Sequence, residues 1–228
     1  MKARLLEWRE IGPGTRHFEF ESPDWKAAFV PGQFLSVTAA IGEDEITRAY
    51  SIVSAPGGNG FALCANLVQE GRLSPWVFSL SQGDQIDFKG PYGAFILRRP
   101  VSDSVFVATG TGIAPFRSML LSHLSANPDR RFTLIFGVRH QQGLLYDDEL
   151  AALAETHPNF DYRPTLTRPP DHWTGRIGRV QQHTIEALGD RRDVDVYICG
   201  LREMVDDMRS KLKDIGLDRK RIVYEKYD

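Results

Sequence analysis

Hydrophobic and polar positions change their period part-way along the chain. Through the first hundred residues, short β-prone runs recur between turn signals: Ala3–Ile11, Arg16–Glu21, Gln33–Ile41, Thr47–Val53, Gly60–Val68 and Gln85–Lys89. Gly12-Pro13-Gly14, Pro31-Gly32, Gly42-Glu43-Asp44 and the stretch 56–60 separate them, and glycine and proline there supply the φ values that turns demand. Six strands without an intervening long helix predict an antiparallel barrel. After Pro100 strands alternate with helices. Val105–Ala108, Phe132–Val138, Tyr162–Leu166, Val194–Cys199 and Arg221–Tyr224 read as strands; Ala114–Ser125, Asp147–Thr156, Val180–Ala187 and Glu203–Ile215 read as helices. That alternation predicts a doubly wound parallel sheet. Arg98-Arg99-Pro100 interrupts the pattern, so the domains are expected at 1–98 and 99–228.

Composition narrows the partners. The 228 residues carry 28 Lys+Arg against 30 Asp+Glu, a net charge of −2, which argues against nucleic acid or a membrane surface as the bulk partner. With 42% hydrophobic and 25% charged residues, disorder and coiled coil are excluded. Charges break every apolar run in Met1–Glu10 and no stretch of about 18 apolar residues occurs, so the reading is a cytoplasmic protein with no membrane segment. Two cysteines, Cys64 and Cys199, are too few for a disulfide framework, a four-cysteine zinc site or a Cys-ligated iron–sulfur cluster. The six histidines show no metal spacing and read as surface residues, and no metal site is expected. The basic clusters Arg98-Arg99, Arg130-Arg131, Arg191-Arg192 and Arg219-Lys220-Arg221 read as solvated faces, some able to steer an acidic partner.

Two segments carry candidate chemistry. In 105–115 a buried strand runs through Thr109-Gly110-Thr111-Gly112 into a helix, where glycines let backbone N–H groups approach a pyrophosphate at the helix start. Pro115 occupies the third glycine position, so the full dinucleotide fingerprint fails, and a plain strand-to-helix turn is the alternative reading of the glycines. On a barrel strand, Arg48-Ala49-Tyr50-Ser51 puts Arg48 and Tyr50 on one face. A cation beside an aromatic ring suits a ligand with a phosphate and a flat ring system; an exposed edge strand with a solvated arginine is the alternative.

Those segments, together with Gly71-Arg72-Leu73-Ser74-Pro75, Gly90-Pro91-Tyr92-Gly93 and the terminal Tyr224–Asp228, resemble the ferredoxin–NADP⁺ reductase superfamily, most closely the bacterial ferredoxin/flavodoxin–NADP⁺ reductases. The resemblance spans nearly the whole chain and implies an FAD-binding barrel followed by a pyridine-nucleotide domain, with the active site in the cleft between them. It implies that Arg48 contacts the FAD pyrophosphate, that Tyr50 packs on the isoalloxazine and that Ser51 hydrogen-bonds near flavin N5, with Ala49 on the same strand. Ala65-Asn66-Leu67 would line the flavin edge, and Arg72-Leu73-Ser74 would close on the pyrophosphate, with Ser74 capping a helix. Thr109–Pro115 would form the nicotinamide and pyrophosphate loop, with Thr111 beside the reacting rings. Val138 and Arg139, Thr167 and Arg168, and Arg176 end or follow successive strands. Two arginines and a hydroxyl there suit the adenosine 2′-phosphate, which favours NADPH over the alternative, NADH. Cys199 would pack against the nicotinamide without acting as a nucleophile, although a lone buried cysteine also serves as a small apolar packer. Gly200-Leu201-Arg202 would contact the nucleotide, Glu225 would relay a proton or hold a hydrogen-bond network, and Tyr227 would cover the flavin's other face, with Asp228 as a one-residue extension.

The function so implied is hydride transfer between NADPH and FAD, followed by single electrons to a separate ferredoxin or flavodoxin, by a monomer. The alternatives are an NAD(P)H:flavin reductase, an NADH-dependent reductase component of a larger redox system, and a non-catalytic nucleotide-binding subunit.

Overall fold

The computed structural model describes residues 1–26 and 28–227. The chain forms two compact units, one of Met1–Ile96 with Ala114–Ser122, the other of Leu97–Ile113 with His123–Asp228.

The first unit is a six-stranded antiparallel sheet: β1 (Lys2–Gly12), β2 (Thr15–Glu21), β3 (Phe34–Ile41), β4 (Asp44–Ser51), β5 (Gly60–Asn66) and β6 (Gln85–Tyr92), in the order β4-β3-β6-β1-β2-β5. An antiparallel bridge between Ile52 and Leu63 joins the edge strands and closes the sheet into a barrel. Strand alternation fills its interior: Leu5, Phe18, Phe20, Leu35, Val37, Leu63, Ile86 and Phe88 are buried. Trp25, Phe61 and Phe88 meet edge-on or tilted with centroids 4.9 to 6.0 Å apart. A short helix, α1 (Leu73–Ser79), buries Leu73 and Val77 in the same core. Helix α2 (Ala114–His123), which the sequence places wholly in the second domain, contributes Ala114–Ser122 to this unit. Phe116 meets Phe95 edge-on at 5.6 Å, Arg117 donates to the Val53 carbonyl at 2.9 Å, and the Ser118 hydroxyl donates to the Ser54 carbonyl at 2.6 Å.

The second unit is an all-parallel sheet of β7 (Ser104–Thr109), β8 (Phe132–Val138), β9 (Phe160–Leu166), β10 (Arg176–Ile177), β11 (Asp195–Leu201) and β12 (Ile222–Tyr227). The order β10-β9-β8-β7-β11-β12 runs outward from β7 on one side and returns on the other, so the topological switch lies beside β7. Helices α3 (Asp147–Thr156), α4 (Val180–Leu188) and α5 (Arg202–Asp214) connect the strands. Central strands are apolar on both faces, as in β8, where Phe132–Gly137 are all buried. No helix among the described residues is long and apolar enough to cross a membrane.

Three expectations need correction. Two histidines are interior: His17 is 3% exposed and His183 6%. Burial, with Arg9 and Arg117 nearby, lowers the pKa of His17 to about 3, because a buried imidazolium loses its hydration. Not every basic cluster is a solvated face. Arg192 donates to the carbonyls of Gly189 and Ile215 just past the ends of α4 and α5, where helix carbonyls lack partners, and Arg221 pairs with buried Asp195 at 3.0 Å. The last strand continues to Tyr227 instead of stopping at Tyr224, because its backbone keeps pairing with β11 as far as Leu201.

Candidate functional site

In the barrel unit, β4 carries Arg48, Ala49, Tyr50 and Ser51. Arg48 stands opposite Val37 and Tyr50 opposite Leu35, so both share the face that turns toward the core. Tyr50 is half-buried against that core; burial raises its phenol pKa to about 12, Arg48 pulling weakly the other way. Arg48 is exposed, donates from Nη1 to the Thr47 carbonyl at 2.8 Å, and forms no ion pair among the described residues. Its remaining guanidinium N–H groups suit a phosphate. Ser51 is buried on the opposite face with exposed Ala49.

The Ile52–Leu63 bridge sets the end of β4 beside β5. Ala65 is buried, so its backbone is what it can offer a ligand. Asn66 Oδ1 accepts from the Thr15 hydroxyl at 3.1 Å and the Leu67 N–H donates to the Gly14 carbonyl at 2.8 Å, which ties this segment to the β1–β2 turn.

Arg72, Leu73 and Ser74 sit at the start of α1, with one correction. Arg72, not Ser74, is the N-cap, and it makes no side-chain cap bond. Ser74 is the second helical residue, and its hydroxyl accepts from the Val68 N–H at 3.0 Å and donates to the Val68 carbonyl at 3.2 Å. It therefore closes the 68–74 loop on itself instead of capping the helix. The Leu73 side chain belongs to the core. Arg72 is engaged by protein groups: Nη1 meets Asp44 Oδ2 at 2.7 Å and Nη2 the Ile41 carbonyl at 3.0 Å.

In the α/β unit the site is mostly backbone. After Thr109 the chain makes one tight 3-10 turn, Gly110–Ile113, and Pro115 is buried in the first turn of α2. A Cβ on Gly112 would stand 2.4 Å from the Cys199 carbonyl oxygen and 2.9 Å from the Gly200 nitrogen, so only glycine lets this turn lie on the end of β11. Gly200 is reciprocally close, its would-be Cβ 2.3 Å from Thr109 Oγ1. Gly110 takes φ +54 with open space where a side chain would point. The Thr109 hydroxyl is buried without a hydrogen-bond partner among the described residues. A glycine turn at the carboxyl end of the central strand, with open space above Gly110 and an unsatisfied hydroxyl beside it, fits a dinucleotide.

Strand register gathers the other candidates at that sheet end. Thr109 is level with Gly137, Gly137 with Thr165, and Thr165 with Arg176. Val138 is half-buried, and Arg139, Thr167, Arg168 and Arg176 are all exposed. The Thr167 and Arg168 N–H groups donate to the Val138 and Arg139 carbonyls at 3.1 and 2.8 Å. On the other side of β7, Cys199 pairs with Glu225 and Leu201 with Tyr227, so Cys199, Glu225 and Tyr227 share one face. The Cys199 thiol is fully buried and hydrogen-bonds Tyr227. Burial, reinforced by the Glu225 charge, pushes its pKa well above the usual thiol value, which keeps it a neutral packing group. Gly200 is buried; Leu201 and Arg202 are exposed at the start of α5. Asp228 lies outside the described residues.

Sequence reasoning missed the groups that hold these segments in place. Arg117 and Ser118 clamp the loop after Ser51, and Trp173 and His183 clamp β10; a tryptophan after two prolines and a histidine on an amphipathic helix carry no motif signal.

Comparison with known proteins finds two family matches along the chain, the second of which includes Ala114–Ser122. Residues 2–96 match the oxidoreductase FAD-binding domain and residues 106–210 the oxidoreductase NAD-binding domain. Ferredoxin–NADP reductase B of Sorangium cellulosum is 38% identical over all of this chain and 97% of its own length. The toluate 1,2-dioxygenase electron transfer component of Pseudomonas putida is 32% identical over 99% of this chain and 67% of its own length. A ferredoxin NADP⁺ reductase from Neisseria gonorrhoeae, solved with bound FAD and NADP, superposes with a TM-score of 0.85 at 28% identity, covering 99% of this chain and 98% of that one.

Proposed function

Because the chain belongs to the ferredoxin–NADP⁺ reductase family, we propose that it is an FAD-dependent oxidoreductase that takes hydride from NADPH and delivers single electrons to a separate ferredoxin or flavodoxin. The observation that carries this reading is the backbone cradle at the end of β7, where Gly112 lies on the Cys199–Gly200 backbone beside the unsatisfied Thr109 hydroxyl.

Bound FAD and nicotinamide supply the hydride and one-electron chemistry; the chain binds, orients and excludes water. In this reading Arg48 and Arg72 hold the flavin's pyrophosphate, the half-buried Tyr50 ring gives a face for the isoalloxazine, and the Ser51 hydroxyl offers a hydrogen bond near N5. Ala49, Ala65, Asn66, Leu67, Leu73 and Ser74 line the flavin. The Thr109–Pro115 turn takes the pyridine nucleotide, with Cys199 as a neutral surface against the nicotinamide, Glu225 holding the hydrogen-bond network and Tyr227 giving the aromatic cover. Val138, Arg139, Thr167, Gly200, Leu201 and Arg202 line the nucleotide, and Arg168 and Arg176 take its 2′-phosphate. The 228 residues supply two cysteines, both buried, so the one-electron acceptor lies outside them. We place the protein in the cytoplasm, as a monomer.

Anaerobic stopped-flow reduction with NADPH and NADH in parallel, followed by candidate carriers, tests this. NADPH should bleach the flavin faster, and a ferredoxin or flavodoxin should reoxidise it. Protein that purifies colourless and reduces free FMN as readily as FAD would instead be a flavin reductase. Faster bleaching by NADH would favour a reductase component of an oxygenase, the role named for the toluate dioxygenase relative. Ser51→Ala should slow flavin reduction about tenfold or more while FAD stays bound, the size expected for losing one oriented hydrogen bond to a reacting centre.

A further inference from the structure

Strand β10 is two residues long, lies at the sheet edge and is exposed at both positions, yet it carries Arg176. An edge strand this short is expected to fray, because one neighbour and few hydrogen bonds hold it. Here three successive carbonyls are each held by a side chain. Trp173 Nε1–H donates to the Arg176 carbonyl at 3.0 Å. His183 Nε2 faces the Ile177 carbonyl at 3.1 Å, and since a carbonyl only accepts, that nitrogen carries a proton, while Nδ1 faces Glu186 Oε2 at 3.1 Å. The Thr165 hydroxyl donates to the Gly178 carbonyl at 2.9 Å.

The three donors come from different places: the loop before the strand, the buried face of α4, and the neighbouring strand β9. His183 and Thr165 are 6% and 0% exposed, so both are rigidly seated. Gly175 completes the arrangement, because a Cβ there would stand 2.5 Å from the Trp173 ring; the indole can lie across the backbone and reach Arg176 only over a glycine. None of these groups is needed to make a sheet edge. Together they fix the backbone from which the Arg176 guanidinium projects.

We infer that Trp173, His183 and Thr165 are positioning residues for coenzyme selection: by holding the carbonyls of 176–178 they pre-set Arg176 for the anionic phosphomonoester that distinguishes NADP⁺ from NAD⁺. This rests on the assignment of Arg176 to the 2′-phosphate. Ordering a long side chain and its backbone costs binding energy, so a backbone fixed in advance strengthens the contact without touching the ligand.

The test is calorimetric titration of the FAD-loaded chain with NADP⁺ and, separately, NAD⁺. Trp173→Phe keeps the ring and removes the donor; it should weaken NADP⁺ about fivefold, the size of one neutral hydrogen bond, and NAD⁺ less than twofold. His183→Leu should do the same, and His183→Gln, which keeps an N–H, should restore NADP⁺ binding. Equal losses for NADP⁺ and NAD⁺ in Trp173→Phe and His183→Leu would reduce these residues to general scaffolding and overturn the inference, as would unchanged NADP⁺ binding. Arg176→Ala separates this from the reading beneath it. A selective NADP⁺ loss of tenfold or more in Arg176→Ala keeps the 2′-phosphate assignment whatever the clamp variants do, and an equal loss for both coenzymes removes it.

Discussion

The barrel unit and the α/β unit prepare for a charged nucleotide by opposite means. In the barrel the groups proposed for phosphate are exposed side chains: Arg48 donates to the carbonyl of its neighbour Thr47, and Arg72 is occupied by Asp44. In the α/β unit the candidate pyrophosphate cradle is backbone, with Gly112 against the Cys199 carbonyl and Gly110 at φ +54 under open space, and side chains are proposed only for the 2′-phosphate. A side-chain site tolerates alteration, because solvated charges interact weakly and rearrange. A backbone site has no slack, since one added methyl meets atoms that cannot move. Burial also shifts titratable groups in both units: in the barrel the imidazole of His17, and in the α/β unit the thiol of Cys199 and the phenol of half-buried Tyr162.

The largest expected effect comes from those groups, through pH. His17 has a folded pKa of about 3 against an ordinary 6.5, so between these values the unfolded chain binds more protons and stability falls as pH drops. The loss from pH 6.5 to 3 is about 4 kcal/mol. Glu19 lies 3.2 Å from the imidazole and favours its charged form, but it is 46% exposed and screened, so burial and the two arginines win. In the α/β unit the signs reverse. Burial raises the pKa of both Cys199 and Tyr162, with Glu225 and Asp147 reinforcing it, so the unfolded chain loses its protons first and stability falls as pH rises above the ordinary thiol and phenol values. Tyr50 gives the barrel an alkaline loss of its own, between pH 10 and about 12. Hydrogen exchange followed by peptide mass spectrometry should show the barrel opening first near pH 4 and the α/β unit first above pH 9. His17→Gln should remove most of the acid loss; an α/β unit that opens first in acid breaks the comparison.

Next in size is Gly112→Ala. Its methyl would meet three backbone atoms of Cys199 and Gly200 within 3 Å, none of them free to swing away, and we expect about 3 kcal/mol of lost stability together with loss of pyridine-nucleotide binding. Gly110→Ala, two residues earlier, meets nothing within 4 Å and should cost only the strain of a positive φ, about 1 kcal/mol. Gly42→Ala in the β3–β4 turn of the barrel, at φ +66 with nothing within 4 Å, should match Gly110→Ala. Thermal melts of the three variants rank these costs. Equal losses at positions 110 and 112 would mean that backbone conformation, and not close approach, makes the α/β turn unforgiving.

The same contrast governs what could be read from the sequence. Periods of two and of about three and a half, with their turn residues, are local, so all six barrel strands and every helix and long strand of the α/β unit were legible to within a few residues. So was the Arg48–Ser51 strand, and so was the tight glycine turn that follows β7. What was illegible depends on contacts distant in sequence. The placement of Ala114–Ser122 with the barrel follows from Arg117 and Ser118 reaching the Val53 and Ser54 carbonyls, 64 residues away. His17 is buried by tertiary contact, and nothing in Arg16-His17-Phe18 announces it. Ser74 had the residue type of a cap, but its hydroxyl turns back to Val68, a competition that residue type cannot settle. The two-residue β10 lacks a period altogether and exists because β9, Trp173 and His183 hold it.

The smallest effect sharpens the barrel side of the comparison. Asp44 and Arg72 are 64% and 49% exposed, so their 2.7 Å ion pair is worth under about 1 kcal/mol, and Asp44→Asn should leave the melting curve nearly unchanged. Its consequence should appear in flavin binding. If Arg72 turns to the FAD pyrophosphate, Asp44 competes for the same guanidinium, and removing that charge should tighten FAD by about twofold to threefold at low salt. Because both groups are solvated, the gain should shrink as ionic strength rises. Arg72→Gln should weaken FAD in both backgrounds. Fluorescence titration of released FAD at two salt concentrations distinguishes the cases: a gain in Asp44→Asn that vanishes in Asp44→Asn/Arg72→Gln assigns Arg72 to the pyrophosphate, whereas unchanged affinity in all three variants leaves Arg72 as a brace between α1 and the β3–β4 turn, held by the Ile41 carbonyl.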